Sequence, residues 1–274
     1  FPLRLNLLNF ITQFAEGHLL GELLRILVCS TQTRKDRRKL ELRPGHLYCD
    51  ALLNYRASGA LKVNAIIAFM QPVLTFDVID DIAFTYVNGI KGTLSQNDTS
   101  IIVHHARNLP DGAKYLETGS YLGCSSHLVA LYSNATVWAH DIWLENWSDV
   151  KDASEKECIK TENFFYVFYN NVKRNNLQNR IIPIRGDSAY TLGIHDQESI
   201  DLSFIDGDHT YKGVLTDLRN VWPLMKKGGV ILAHDCHYNS EAYRALTQFT
   251  SETKVSYEIF PFTTGLAKIV KPLN

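Results

Sequence analysis

The chain has 274 residues, enough for one large domain or for one domain plus a smaller appendage. Its hydrophobic fraction of 45% and charged fraction of 21% are those of an ordinary soluble globular protein. A formal net charge of -1 removes any global drive toward nucleic acid or an anionic membrane and leaves only a local patch as a route to either.

The first region runs over residues 1–96. Between Leu3 and Cys29 apolar residues recur at helical spacing, which predicts one long helix or two short ones broken near Gly17 or Gly21. The basic stretch from Arg34 to Lys39 reads as a solvated loop. Ala60 to Ala68 and Val78 to Val87 read as further helices, giving a helical N-terminal region. Its expected roles are packing on its own domain, capping a site, forming a homo-oligomer or presenting a partner surface. The most apolar early run, Ile66 to Ile79, contains Gln71, Pro72 and Asp77 and is too short and polar to span a membrane.

The second region, residues 97–274, alternates strand and helix signals. Tyr115-Leu116 leads a short strand into a glycine turn, and Ser126 to Tyr132 is a helix. Ala135 to Ala139 is a second strand, ending at His140-Asp141. Glu162 to Asn171 is helical, and Ile181 to Ile184 is a third strand. Ile200 to Ile205 is a fourth, apolar at nearly every position and therefore buried on both faces. Tyr211 to Met225 is helical and Gly229 to Ala233 is a fifth strand. Tyr257 to Phe262 and Gly265 to Val270 form a closing pair with one antiparallel member. The pattern predicts an α/β fold with a doubly wound, mostly parallel sheet, and a ligand at the carboxyl ends of its strands.

The residues at those ends suit a ligand. After the first strand comes Glu117-Thr118-Gly119-Ser120-Tyr121-Leu122-Gly123. Glycines let this turn approach a ligand closely, and the carboxylate ahead of them suits a cationic amino group rather than a phosphate. After the second strand, Asp141 is placed to accept both hydroxyls of a ribose, or to cap a helix. After the third, Asp187 and Ser188 are placed for an adenine amino group and ring nitrogen, or again for a cap. After the fourth come Asp206, Asp208 and His209, and after the fifth His234 and Asp235. Asp206, His234 and Asp235 are candidates to converge on one divalent cation, with carboxylates suiting Mg²⁺ and an imidazole shifting preference toward Mn²⁺, Fe²⁺ or Zn²⁺. The metal-free alternative has Asp206 on the cofactor and His234 and Asp235 bonded to each other or to substrate. Trp143, Trp147 and Tyr211 are candidates for an acceptor pocket or for simple packing.

The run from Leu116 to Ser126 resembles the first motif of class I S-adenosylmethionine-dependent methyltransferases, in the catechol and macrocin O-methyltransferase groups. Phe204 to Tyr211 and Lys227 to Asp235 resemble those small-molecule enzymes still more specifically. The resemblance implies a seven-stranded Rossmann-like sheet. It implies that Glu117 and Gly119, with Ser120 and Gly123 in the same turn, hold the methionine end of the cofactor. Asp141 would hold its ribose, and Asp187 and Ser188 its adenine. Asp206 and Asp235 would be metal ligands, with Asp206 also near the cofactor, and Asp208 the candidate base. His209 competes for the base role, because histidine titrates nearest neutrality. The macrocin pattern has two acids where this chain has His234-Asp235, which weakens the Mg²⁺ assignment.

The function expected is O-methylation of a hydroxylated small molecule with S-adenosylmethionine, assisted by Mg²⁺ or another divalent cation. The alternatives are metal-free methylation of an amine or a sugar, and a non-catalytic domain that kept the fold for assembly. The five cysteines, Cys29, Cys49, Cys124, Cys158 and Cys236, are widely spaced and form no CxxC pair. With no secretory signal pattern, they fit a reducing, cytoplasmic setting. A start at Phe1 leaves a processed form or a fragment open, and an organelle with it. Three short glycosylation patterns, at Asn97, Asn134 and Asn146, are of a kind that chance produces often.

Overall fold

The computed structural model describes residues 72–79, 82–143 and 163–274. All of them belong to one unit, residues 71–274. The helices expected within Leu3–Cys29 and Ala60–Ala68, the basic stretch Arg34–Lys39 and Trp147 lie outside the described residues.

The unit opens with three antiparallel strands, β1 (Leu74–Ile79), β2 (Ile82–Val87) and β3 (Ile90–Gly92). In β1 and β2, Leu74 pairs with Val87 and Ile79 with Ile82. The helix expected over Val78–Val87 is therefore a hairpin. Its Val, Ile, Phe, Thr and Tyr side chains prefer a pleated, half-buried surface, and apolar content this dense fits either period.

Helix α1 (Gln96–Arg107) follows. A capping box starts it: Asp98 N–H donates to Ser95 Oγ and Ser95 N–H donates to Asp98 Oδ2. Then come β4 (Lys114–Thr118), α2 (Cys124–Tyr132), β5 (Thr136–Asp141), α3 (Phe164–Arg174), β6 (Ile181–Arg185), α4 (Ser188–Thr191), β7 (Ile200–Ile205), α5 (Tyr211–Val221), β8 (Met225–Ala233), α6 (Glu241–Thr253), β9 (Tyr257–Ile259) and β10 (Ala267–Val270). The helix expected to reach Met225 ends at Val221, in a 3₁₀ turn containing Pro223. Proline lacks the N–H that would continue it.

The large sheet has the order β6-β5-β4-β7-β8-β10-β9. Pairings are parallel from β6 through β8, and β10 runs antiparallel to both β8 and β9. This is the seven-stranded, Rossmann-like methyltransferase arrangement. Strand alternation sorts the core onto two faces. Tyr115 and Phe204 pack with Ile102, Leu128 and Phe168 on the side of α1, α2 and α3. Their chain neighbours Leu116 and Ile205 pack with Leu218, Leu246 and Phe249 on the side of α5 and α6. Val87 and Ile90 tie the small sheet to the first face. No helix among the described residues is long and apolar enough to cross a membrane.

Candidate functional site

Strand order reverses between β5-β4 and β4-β7, so the turns after β4 leave a crevice at the carboxyl edge of the sheet. The turn after β4 is clamped from both sides: Gly119 N–H donates to His140 O, and Asp206 N–H donates to Thr118 O. Gly119 has φ +84, and a Cβ there would collide with the Asp206 carbonyl. Only glycine fits this backbone.

A cavity of about 500 Å³ opens in the crevice. Seven of the residues singled out from sequence line it: Gly119, Asp141, Asp187, Ser188, Asp206, Asp208 and His209. Glu117, Ser120, Gly123, His234 and Asp235 do not. Glu117 lies beneath the turn, fully buried, and accepts from Tyr115 OH and Ser126 Oγ, each at 2.6 Å. Burial pushes its carboxyl up, against those hydroxyls. Glu117 thus supports the turn from below. Ser120 is buried in the turn, and Gly123, φ +93, starts α2.

Asp141 is 8% exposed and accepts from the Tyr121 and Trp143 N–H groups, at 2.8 and 2.6 Å. Burial raises its carboxyl while these bonds oppose. Asp187 caps α4 through Ala189 N–H, and Ser188 Oγ donates to Asp217 Oδ1 at 2.6 Å. Three polar side chains of the cavity escaped the sequence reading. Asp217 is a buried acid on α5, His140 is the penultimate residue of β5 and Thr93 follows β3. A carboxylate interrupting the apolar stripe of α5 was the legible signal for the first.

Past β7 and β8 the acids converge. Ligand atoms of Asp206, His209 and Asp235 lie within 4.8 Å of one another. His209 Nδ1 is 3.2 Å from Asp235 Oδ2, and its Nε2 is 3.8 Å from Asp206 Oδ1. His234, the imidazole expected in this triad, stands behind it. Its Nδ1 is 3.1 Å from Asp206 Oδ1 without being aligned for a hydrogen bond, and its Nε2 lies 2.7 Å from Thr264 Oγ1 and 3.6 Å from Asp98 Oδ2. Burial opposes charge on this ring, yet Asp206, Asp235 and Asp98 hold it well above the usual histidine range. Among the described residues, the imidazole whose ligand atom falls in the cluster is that of His209. Asp208 accepts from Thr210 N–H and Oγ1, both at 2.9 Å, which ties it into its own loop. Trp143 is buried against Phe168 as packing.

Residues 116–236 match the family model described as a methyltransferase domain. The match spans β4 to β8, whose ends build this site. Two solved structures share the fold. The O-methyltransferase NovP is 15% identical, with a TM-score of 0.52 over 68% of this chain and 83% of that one. The cofactor-bound Rv0187 from MTB is 15% identical, with a TM-score of 0.50 over 66% and 82%. No curated protein matches the sequence. Over residues 116–236 the chain is thus similar to methyltransferase domains, and it shares its fold with these two structures.

Proposed function

We propose that the chain transfers a methyl group from S-adenosylmethionine to a hydroxyl oxygen of a small molecule, with a divalent cation beside that oxygen. One observation carries this reading: a single cavity draws its wall from the ends of β4, β5, β6 and β7 and has an acid and imidazole cluster at its rim. The fit to the cofactor is chemical. The Gly119 backbone leaves room that a side chain would fill, and carboxylates without phosphate-binding glycines suit an amino acid and a ribose.

In this reading Gly119, with Ser120 and Gly123, shapes the turn around the methionine end, and Glu117 braces it. Asp141 takes the ribose hydroxyls, and Asp187 and Ser188 take the adenine. Asp206, His209 and Asp235 hold the cation, and a mixed oxygen and nitrogen set suits Mn²⁺, Fe²⁺ or Zn²⁺ better than Mg²⁺. The cofactor supplies the electrophilic methyl, and the cation lowers the acceptor hydroxyl's pKa when bound. The protein positions the hydroxyl in line and keeps a proton acceptor near it. Of the two candidate bases, His209 is taken up by the cation in this reading, which leaves Asp208, in the cavity wall and bonded to Thr210, as the proton acceptor. Residues 97–274 form the catalytic domain here, and residues 1–96 a cap, a homo-oligomer surface or a partner surface.

A second reading, metal-free methylation of an amine or sugar, draws on His234, whose charge already offsets Asp206 and Asp235 from behind. Titration calorimetry with S-adenosylhomocysteine and radiolabelled methyl transfer to a phenol and sugar panel test both. The expected result is binding, chelator-sensitive transfer to oxygen, and loss of roughly 100-fold or more in turnover for a folded Asp206→Ala variant. Full activity of that variant overturns the site. Chelator insensitivity selects the second reading, and failure to bind the cofactor product favours a non-catalytic, assembly role.

A further inference from the structure

A second hollow, of about 420 Å³ and broadly open to solvent, lies at the same edge of the sheet. Tyr238, Tyr243, Tyr257 and Phe260 wall it, together with His237 and Gly265. Topology puts these residues together. His237 and Tyr238 follow β8, Tyr243 lies in the first turn of α6, and Phe260 follows β9. Gly265 precedes the antiparallel β10.

Two links join this hollow to the first cavity. His237 Nε2 is 3.9 Å from Asp235 Oδ1, and the other oxygen of Asp235 meets His209, which lines the first cavity. The turn between β9 and β10 supplies Thr263 and Gly265 to the hollow, while Thr264 between them bonds Asp98 and His234. The wall is therefore fixed to the acid cluster.

Four of the nine described lining residues are Tyr or Phe, and none of the nine is Lys, Arg, Asp or Glu. Lys268, 5.3 Å from the Phe260 ring, is held by Glu258 at 2.6 Å, and among the described lining residues only His237 can carry a positive charge. Tyr238 is 79% exposed, yet its ring sits 5.5 Å from that of Tyr243, which presents an open aromatic face at the rim. We propose that this hollow is a subsite for an uncharged aromatic ring of the methyl acceptor, laid across the ridge of His209, Asp235 and His237. The proposal rests on the methyl-transfer reading for the word acceptor, but the ring site itself is measurable alone.

The test uses 4-fluorophenol and 4-fluorocyclohexanol as probes, followed by ¹⁹F relaxation on the full chain, with and without S-adenosylhomocysteine. The phenol should bind and the alcohol should not. Tyr238→Ala, at a surface position, and Tyr243→Ala should each weaken the phenol roughly fivefold with an unchanged melting temperature for the former. Absence of phenol binding, equal binding of the two probes, or unchanged affinity in both variants overturns the proposal. If the phenol behaves as expected while the cofactor product fails to bind, the ring site stands and the methyl-transfer reading falls. If the cofactor product binds and the phenol does not, only the ring site falls.

Discussion

His140 is the penultimate residue of β5, next to Asp141, and is 1% exposed. Its Nδ1 meets Thr191 Oγ1 at 2.9 Å and its Nε2 meets His195 Nε2 at 2.8 Å. Two facing imidazole nitrogens share one proton, so the two rings cannot both be charged while they face each other. Burial first, and His195 second, push His140 down from 6.5 to about 3. Between those values the unfolded chain binds a proton that the folded chain refuses. The contribution of His140 is full above pH 6.5 and falls as the pH drops toward 3. At pH 5 the loss is about 2 kcal/mol. Urea unfolding at pH 7.5 and pH 5 should show a drop in stability that shrinks by about that amount in His140→Gln, since the other histidines remain in both proteins. An equal drop in both would sink the assignment. Residues of this kind mark the limit of sequence reading. Asp141, Asp187 and Asp206 were legible because each follows an apolar run that reads as a strand. His140 was not, because its inward direction is decided by how β5 packs, and Asp217 left only the trace of a carboxylate within the apolar stripe of α5. His234 was legible as a polar residue past a strand, but its charge depends on Asp98, which only the fold brings near.

Helix α1 shows the same dependence one level up. Ser95-Gln96-Asn97-Asp98 is a capping pattern that the sequence displays, although the helix it starts went unread. In the fold Asp98 does more than cap. It is fully buried, accepts from Thr264 Oγ1 and N–H, and faces His234 at 3.6 Å. Burial works against its charge, but His234, Ser95 and Thr264 together lower its carboxyl to about 2. Ser95→Ala removes one cap and should cost about 1 kcal/mol. Asp98→Ala also leaves a buried imidazolium and Thr264 without their partner and should cost about 3–5 kcal/mol. Guanidinium titration at neutral pH separates the two, and equal losses would show that Asp98 is only a cap. The parallel strands were readable because their apolar runs are short and end in polar clusters. The β1–β2 hairpin was not, because Ile, Val and Phe at nearly every position satisfy both the helical and the extended period.

At the scale of the whole unit, four strand ends meet at one cavity because the sheet order turns back on itself at β4. A ligand there touches the turns after β4, β5, β6 and β7 at once, so its binding energy acts on the entire parallel sheet rather than on one loop. Binding to the folded state alone stabilises by about 2.7 kcal/mol at a hundredfold excess over Kd. For a unit of this size, each kcal/mol raises the melting temperature by roughly 2–4 °C. S-adenosylhomocysteine at that excess should therefore raise the transition by roughly 5–10 °C in scanning calorimetry. Asp141→Ala removes the carboxylate assigned to the ribose while Gly119 and Asp187 keep their places. It should lose most of the rise at the same ligand concentration, even after its own lower starting temperature is subtracted. A full rise in Asp141→Ala would mean that the ligand stabilises the sheet from somewhere other than this crevice.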